Sequence, residues 1–139
     1  MKQLTFVALV VAAVLALTAC GEEEDKEGLS KACPAAPTAL QAMPTLPGQF
    51  PNAEGVTYTK VTKDGPSTIA SGYLESDIEE AHDTYVSAVS DANGYTVTKE
   101  EQDEADAEVN FEGNGQSGQV KLLQTCKTRT TVTITIRPA

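Results

Sequence analysis

The sequence has one histidine, no tryptophan and three cysteines among its 139 residues. A structural zinc site needs four cysteine or histidine ligands, so such a site would have to use every one of these residues. Four tyrosines and three phenylalanines are the only aromatic residues, which predicts a modest core in one small domain. Basic residues are also few, because ten lysines and arginines face twenty acidic residues, giving a formal charge of −10. This balance excludes the basic footprint that nucleic-acid binding requires.

The longest apolar run lies at the start of the chain, over residues 6–17, after the single positive charge of Lys2. As a helix, twelve residues would extend about 18 Å, whereas the hydrocarbon core of a bilayer is about 30 Å thick. The residues that follow Cys20 are Gly-Glu-Glu-Glu-Asp, with no basic stop signal. The pattern therefore predicts a secretory signal over residues 1–19 and argues against a membrane-spanning helix.

The end of this signal, Leu17-Thr18-Ala19-Cys20, resembles the lipobox of bacterial lipoproteins. The resemblance implies cleavage before Cys20, diacylglycerol and further acyl chains on that cysteine, and a place on the exported side of the cell membrane or on the outer membrane. Two or three acyl chains are needed for stable anchoring, since one chain binds only marginally. Gly21 stands where inner-membrane lipoproteins of many Gram-negative bacteria have aspartate. The other interpretation is an ordinary secretory signal with an incidental cysteine.

Cleavage would leave 120 residues with nine basic and twenty acidic side chains, a formal charge of −11. We divide them into an acidic flexible spacer over residues 20–32, a proline-rich lead segment over 33–51, and a domain over 52–139. The lead segment contains five of the seven prolines and favours extended backbone. Its apolar residues predict that part of it lies against the domain: Leu40, Met43, Leu46 and Phe50.

Two cysteines, Cys33 and Cys126, remain once Cys20 carries lipid. In an oxidising compartment such a pair most often forms one structural disulfide, which we predict here. The alternatives are a redox pair or metal ligands. A redox pair usually has Cys-x-x-Cys spacing, whereas these cysteines are 93 positions apart.

The remaining sequence predicts two strands, one helix and four strands. The helix, at about residues 77–92, carries a buried stripe at i, i+3, i+4 and i+7 spacing and begins at a capping box formed by Ser76 and Glu79. Gly94 is placed to end it. The strands alternate apolar and polar residues or are rich in β-branched ones: 56–62, 67–74, 95–99, 105–112, 119–126 and 130–137. We expect an α+β fold of two layers, an antiparallel sheet covered by one α-helix.

Alternation also constrains the strand register. Pairing Phe111 with Val120 keeps the apolar residues of both strands on one face and leaves residues 113–118 as a loop. The same logic pairs Val109 with Leu122, and Leu122 with Val132 or Ile134. The last connection then has an odd number of residues or carries a β-bulge.

The element order resembles helix-over-sheet domains of small envelope lipoproteins, including outer-membrane assembly accessories. The stretch from Leu46 to Val56, LPGQFPNAEGV, resembles the proline-glycine lead into the first strand of some of them. This resemblance implies the fold and no established activity.

The groups available for chemistry do not form a recognised catalytic or metal-binding pattern. His82 lies on or beside the apolar stripe of the helix, which is typical of a packed histidine; the sharper interpretation is a relay with Asp83. Gly115-Gln116-Ser117-Gly118 lacks the spacing of a nucleophile elbow and reads as a hairpin loop. Six carboxylates crowd residues 100–108 and indicate a solvated surface or, alternatively, a weak calcium contact. We predict no catalytic residue, cofactor or metal site.

The charges are distributed unevenly along the chain. Residues 75–112 contain thirteen acidic side chains and one basic one, whereas residues 113–139 contain four basic side chains and no acidic one. One interpretation is that acidic and basic side chains neutralise each other across paired strands. The other is that the two charged regions form a dipolar surface that orients an approaching partner.

These observations favour a membrane-anchored, non-enzymatic binding or accessory module that presents a sheet face to an envelope protein. The alternative is a small ligand carrier or enzyme that uses the crevice between helix and sheet.

The lipobox interpretation makes Cys20 the attachment point. We expect Cys20→Ala to release the mature domain in soluble form or to leave an uncleaved precursor, because no thiol remains to receive the lipid. Membrane fractionation and intact mass provide the measurement. An unchanged distribution and mass would contradict the anchor.

Overall fold

A computed structural model describes Leu29 and residues 32–139. The predicted signal, Cys20 and the rest of the spacer lie outside these residues. The described part contains a six-stranded antiparallel sheet and one α-helix, which confirms the α+β fold. A short 3-10 turn, Pro47–Gln49, precedes the regular elements: β1 Thr57–Asp64, β2 Ser67–Leu74, α1 Ile78–Asp91, β3 Tyr95–Gln102, β4 Asp106–Gly113, β5 Gln116–Cys126 and β6 Arg129–Pro138.

The strands lie in the spatial order β1-β2-β6-β5-β4-β3, and every neighbouring pair is antiparallel. After the β1–β2 hairpin, α1 carries the chain to the far edge of the sheet. Strands β3 to β6 then return by hairpins until β6 pairs with β2. The helix packs over β3, β4, β5 and β6, so it covers one face only. No helix in residues 32–139 is long and apolar enough to cross a membrane.

Helix α1 buries the stripe that its spacing predicts: Ile78, Ala81, His82, Tyr85 and Val89. Its start differs from the predicted capping box. The N-cap is Asp77, whose carboxylate accepts a hydrogen bond from the Glu80 amide at 3.0 Å. The Ser76 hydroxyl has no hydrogen-bond partner among the described residues. The backbone of Ser76 is instead held to the sheet, because its carbonyl accepts a hydrogen bond from the Thr130 hydroxyl. The end of the helix differs as well: its C-cap is Ala92, in extended conformation, and Gly94, at φ 82°, lies in the turn before β3 and does not cap the helix.

The core lies between the helix and the covered face of the sheet. Strands β4, β5 and β6 each send alternate apolar side chains into it, as the sequence pattern predicts: Ala107, Val109, Phe111, Val120, Leu122, Val132, Ile134 and Ile136. Each of these side chains is at most 2 % exposed. Full burial of a large aliphatic side chain contributes about 1.5–3 kcal/mol to stability, so these three strands are a major source of the hydrophobic stabilisation.

The register of β4 on β5 corrects one prediction. Val109 pairs with Val120, and Phe111 pairs with Gly118, which is two residues away from the expected pairing. The predicted six-residue loop is in fact a two-residue turn, Asn114-Gly115, with φ of 48° and 72°. This turn twists in the same sense as the strands, and asparagine followed by glycine is its preferred sequence. The apolar residues still share one face, because a shift of two preserves alternation.

The register of β5 on β6 agrees with the prediction. Leu122 pairs with Val132, and Lys127 and Thr128 form the connection. Because this connection has an even number of residues, the prediction requires a β-bulge, and the bulge lies between Gln124 and Cys126.

The lead segment crosses the domain and contributes to its core. Leu46 and Phe50 are each 3 % exposed, and the Phe50 ring packs against Phe111 at 4.3 Å between centroids. Leu40 and Met43 are 38 % and 58 % exposed, but the Leu40 amide donates to the Tyr58 carbonyl at 2.7 Å, so this part of the segment lies against the edge of β1. The hydrophobic core therefore begins before residue 52.

Cys33 and Cys126 lie at disulfide distance, with Cα atoms 5.2 Å apart. Cys126 is fully buried at the end of β5. The pair joins the start of the lead segment to the end of the sheet where β2 ends and α1 begins. A second contact supports this junction, because Arg129 Nη1 donates to the Pro34 carbonyl at 2.7 Å.

The two edge strands, β1 and β3, are irregular and charged. Each has a β-bulge, between Tyr58 and Lys60 in β1 and between Val97 and Lys99 in β3. Bulges and charged side chains at an edge hinder pairing with another strand.

We expect reduction of the Cys33–Cys126 pair to lower the melting temperature. On the chain-entropy model, closing a loop of this length stabilises the fold by at most roughly 4.6 kcal/mol. The test compares mature protein, with Cys20 replaced by alanine, with and without reductant. A variant that also carries Cys33→Ala and Cys126→Ala is the control and should not respond. Equal melting temperatures in both conditions would contradict a stabilising bridge.

Candidate functional site

The structure places His82 in the core. Its side chain is nearly buried, and neither ring nitrogen has a hydrogen-bond partner among the described residues. Nδ1 lies 3.6 Å from an Asp83 carboxylate oxygen, and that carboxylate is well exposed. A Ser–His–acid relay needs a serine hydroxyl hydrogen-bonded to the imidazole. No such bond exists in the described part of the chain.

The glycine-rich stretch at 115–118 does not form a catalytic turn. Gly115 belongs to the hairpin turn, and Ser117 lies within β5, where its hydroxyl is 3.4 Å from Arg137 Nε. Strands flank the turn on both sides, so the strand-to-helix geometry of a nucleophile elbow does not occur here.

The crowded carboxylates at 100–108 form the hairpin between β3 and β4. Alternation sends them to both faces of the sheet, which separates them. Two of them meet on the open face, where Glu101 pairs with Glu108 across the strands. Each has its own lysine, Lys99 at 2.8 Å and Lys121 at 3.6 Å respectively. Within residues 32–139 no group of three or more acidic, histidine or cysteine side chains is arranged to hold a metal.

A shallow groove of about 1160 Å³ lies between α1 and the chain before β1. Seven carboxylates line it: Glu54, Glu75, Asp77, Glu79, Glu80, Asp83 and Asp91. Most of these side chains are exposed on the outer side of the helix. The excess of negative charge predicted for residues 75–112 is therefore concentrated largely on the helix side of the molecule.

The opposite face of the sheet is formed by all six strands. No helix or strand in residues 32–139 packs on it. Its two central strands, β5 and β6, carry mainly hydroxyl, amide and methyl groups: Ser117, Gln119, Lys121, Leu123, Thr131, Thr133, Thr135 and Arg137. Ile69 and Tyr73 of β2 extend it, and Leu123 is 49 % exposed. We refer to this surface as the open face.

The charges on the open face nearly cancel. Its strands carry five basic and five acidic side chains: Lys60, Lys99, Lys121, Arg129, Arg137, Asp64, Glu101, Asp106, Glu108 and Glu112. Residues 32–139 as a whole carry seven basic and fifteen acidic side chains, so the negative net charge of this part of the chain lies outside the open face. Lysine–carboxylate pairs account for part of this balance. The hydrogen bond from Lys99 to Glu101 raises the pKa of the lysine.

Arg129 organises the end of the sheet next to the disulfide. Its Nε and Nη2 donate to one Glu75 oxygen at 3.1 and 2.8 Å, and its guanidinium lies 5.2 Å from the centre of the Tyr73 ring. Together with the Pro34 contact, this side chain joins β6, β2 and the lead segment. The sequence gives no signal for this junction, because its members are 54 and 95 positions apart.

Two buried phenols, Tyr58 and Tyr85, form the most polar part of the interior. Burial raises the pKa of Tyr58 to about 12 and that of Tyr85 well above its usual value. The phenols are close enough to influence each other, but neither hydroxyl has a partner with hydrogen-bond geometry in the described residues. Both are therefore neutral at physiological pH and serve the packing of β1 against α1.

Comparison with known proteins gives no further assignment, since no protein family, curated protein or solved structure matches this chain.

The buried phenols predict that the protein loses stability at alkaline pH. Above pH 10 the phenols of the unfolded chain ionise, while buried Tyr58 stays neutral up to about pH 12. The free energy of unfolding should then fall by about 1.4 kcal/mol per pH unit for each such group. Urea unfolding at pH 8, 10.5 and 11.5 provides the measurement.

We expect Tyr58→Phe and Tyr85→Phe to reduce this fall, with Tyr73→Phe on the open face as the control. An unchanged pH dependence in both core variants would show that other groups cause the loss of stability at alkaline pH.

Proposed function

We propose that the protein is a lipid-anchored, non-enzymatic binding module of the cell envelope, which uses the open face to bind a protein partner. The observation that supports this best is the open face itself, a six-stranded surface with near-zero net charge. Protein interfaces have few charged residues at their centre and more at the rim. The open face has this arrangement, because threonine, leucine and glutamine dominate β5 and β6 while most of its charges lie on the outer strands.

The lipobox and the acidic spacer support the anchor. Lipid on Cys20 would hold the chain at the membrane, and the residues up to Cys33 would act as a tether. The tether reaches the domain at the end of the sheet where Cys33 meets Cys126. The strands would then extend away from the attachment point, and the open face would be directed sideways along the membrane.

The competing proposal is a ligand carrier or enzyme that uses the space between helix and sheet. That space is filled by fully buried side chains, among them Tyr85, Leu122 and Ile134. Two concave surfaces, the groove beside α1 and a smaller hollow between residues 39–43 and 56–58, lie outside this layer. This packing favours the binding module.

Site-specific photo-cross-linking in the producing cell tests the proposal. A photoreactive residue replaces Gln119 or Leu123 on the open face and, as matched controls, Ser87 or Glu80 on the outer side of α1. We expect protein adducts, identified by mass spectrometry, only from the open face.

Adducts only from the helix positions would contradict the proposal. A small molecule that co-purifies with the protein, with no protein adduct at any position, would support the carrier instead.

A further inference from the structure

We propose that the occupant of the open face is a second copy of this chain, in a two-fold dimer whose two sheets pack face to face. The inference rests on the proposed function, since it names the partner of the same surface. Three observations support it: the area of the face, the charges at its two edges, and the end of the sheet from which the lead segment leaves.

The area of the open face is sufficient for a stable dimer. Six strands spaced by about 4.8 Å and eight residues long at about 3.4 Å per residue form a surface of about 24 by 27 Å. Two copies would bury about 1,300 Å² in total, which lies within the range of stable interfaces, about 1,200–2,000 Å². Face-to-face sheets with nearly aligned strands pack about 10 Å apart.

The edge charges are self-complementary. Cross-strand pairing places six residues in one row across the open face: Lys60, Ser71, Thr133, Lys121, Glu108 and Glu101. The row begins with a lysine on β1 and ends with a glutamate on β3. A two-fold axis parallel to the strands, between β5 and β6, places the β1 edge of one copy on the β3 edge of the other. Lys60 then meets Glu101 of the partner subunit, and symmetry repeats the contact.

The next rows add to this complementarity. Cross-strand pairing places Lys99 of β3 in one row with Thr62 of β1. Asp64 lies two residues further along β1, in the next row. The same axis therefore brings Lys99 of the partner subunit close to Asp64. An axis perpendicular to the strands would instead place β1 on β1 and β3 on β3, so the charges of the two edges would not meet. The β1 and β3 edges therefore complement each other only about the axis parallel to the strands.

The attachment point selects the same axis. Cys33 lies at the end of the sheet formed by the end of β5 and the start of β6. A two-fold axis parallel to the strands keeps this end on the same side in both copies, so both tethers lead to one membrane. The perpendicular axis would direct the tethers to opposite sides. Anchoring also raises the effective concentration of the copies, which favours a contact that is weak in solution.

Photo-cross-linking in the producing cell tests the dimer. The full chain carries a photoreactive residue at Thr133, in the centre of the open face, and two copies with different affinity tags are produced together. We expect an adduct that contains both tags, and none from the control position Ser87. An adduct with another protein would overturn the dimer and leave the proposed function standing. No adduct from Thr133, Gln119 or Leu123 would overturn both.

Charge reversal provides the second test. Lys60→Glu or Glu101→Lys should each reduce the two-tag adduct roughly tenfold, because two symmetry-related contacts become repulsive. The double variant should restore it, since the pairs re-form with exchanged sign. Lys63→Glu and Glu100→Lys are matched controls, because these residues lie on the same strands but point to the other face. Equal adduct from all variants, or no recovery in the double variant, would overturn the dimer.

Discussion

The fold depends on the pairing of β6 with β2. This ladder joins residues that are 56 to 68 positions apart, from Leu74 with Thr130 to Thr68 with Ile136. Bringing such distant segments together costs chain entropy before any contact repays it. Without this ladder the β1–β2 hairpin would be separate from the four strands that follow α1. The junction at Arg129 and Cys126 depends on it too, because both residues lie at the β5–β6 end that the ladder holds beside β2.

The two sides of the molecule differ in electrostatic character because of this topology. The helix side carries a row of carboxylates, and the open face carries paired charges around a threonine-rich centre. A negatively charged surface repels anionic lipids and other acidic polymers and favours solubility. The near-neutral side has no such repulsion. On the function proposed above, binding and repulsion therefore belong to opposite layers of one small domain.

The sequence predicts the elements of this fold better than their connections. Val132, Ile134 and Ile136, alternating with threonine, are sufficient to define β6 and its buried face. The sequence Asn114-Gly115 is typical of a two-residue hairpin turn. A longer loop at this place shifts the predicted pairing of β4 with β5 by two residues. The predicted helix start is one residue early for a physical reason, since Ser76 and Asp77 are both good caps and the Ser76 carbonyl is held by a tertiary contact to Thr130.

The candidate site is less visible in the sequence. That Lys60 and Glu101 end the same row follows from five successive strand pairings, none of which is encoded locally. The contacts of Arg129 with Glu75 and Pro34 likewise form only once β6 has paired with β2. Alternation does predict an exposed polar face, but its centre, its edges and its near-zero charge follow from the strand order.

The bulged edge strands have a consequence for assembly of the proposed dimer at high local density. A regular edge would accept a strand from any neighbour, and each addition would expose a new edge, so growth would continue into fibres. The irregular, charged edges of β1 and β3 hinder that route. A two-fold contact between open faces, by contrast, buries the interacting surface of both copies and leaves none for a third. Assembly of this protein should therefore stop at two copies, however densely they are packed.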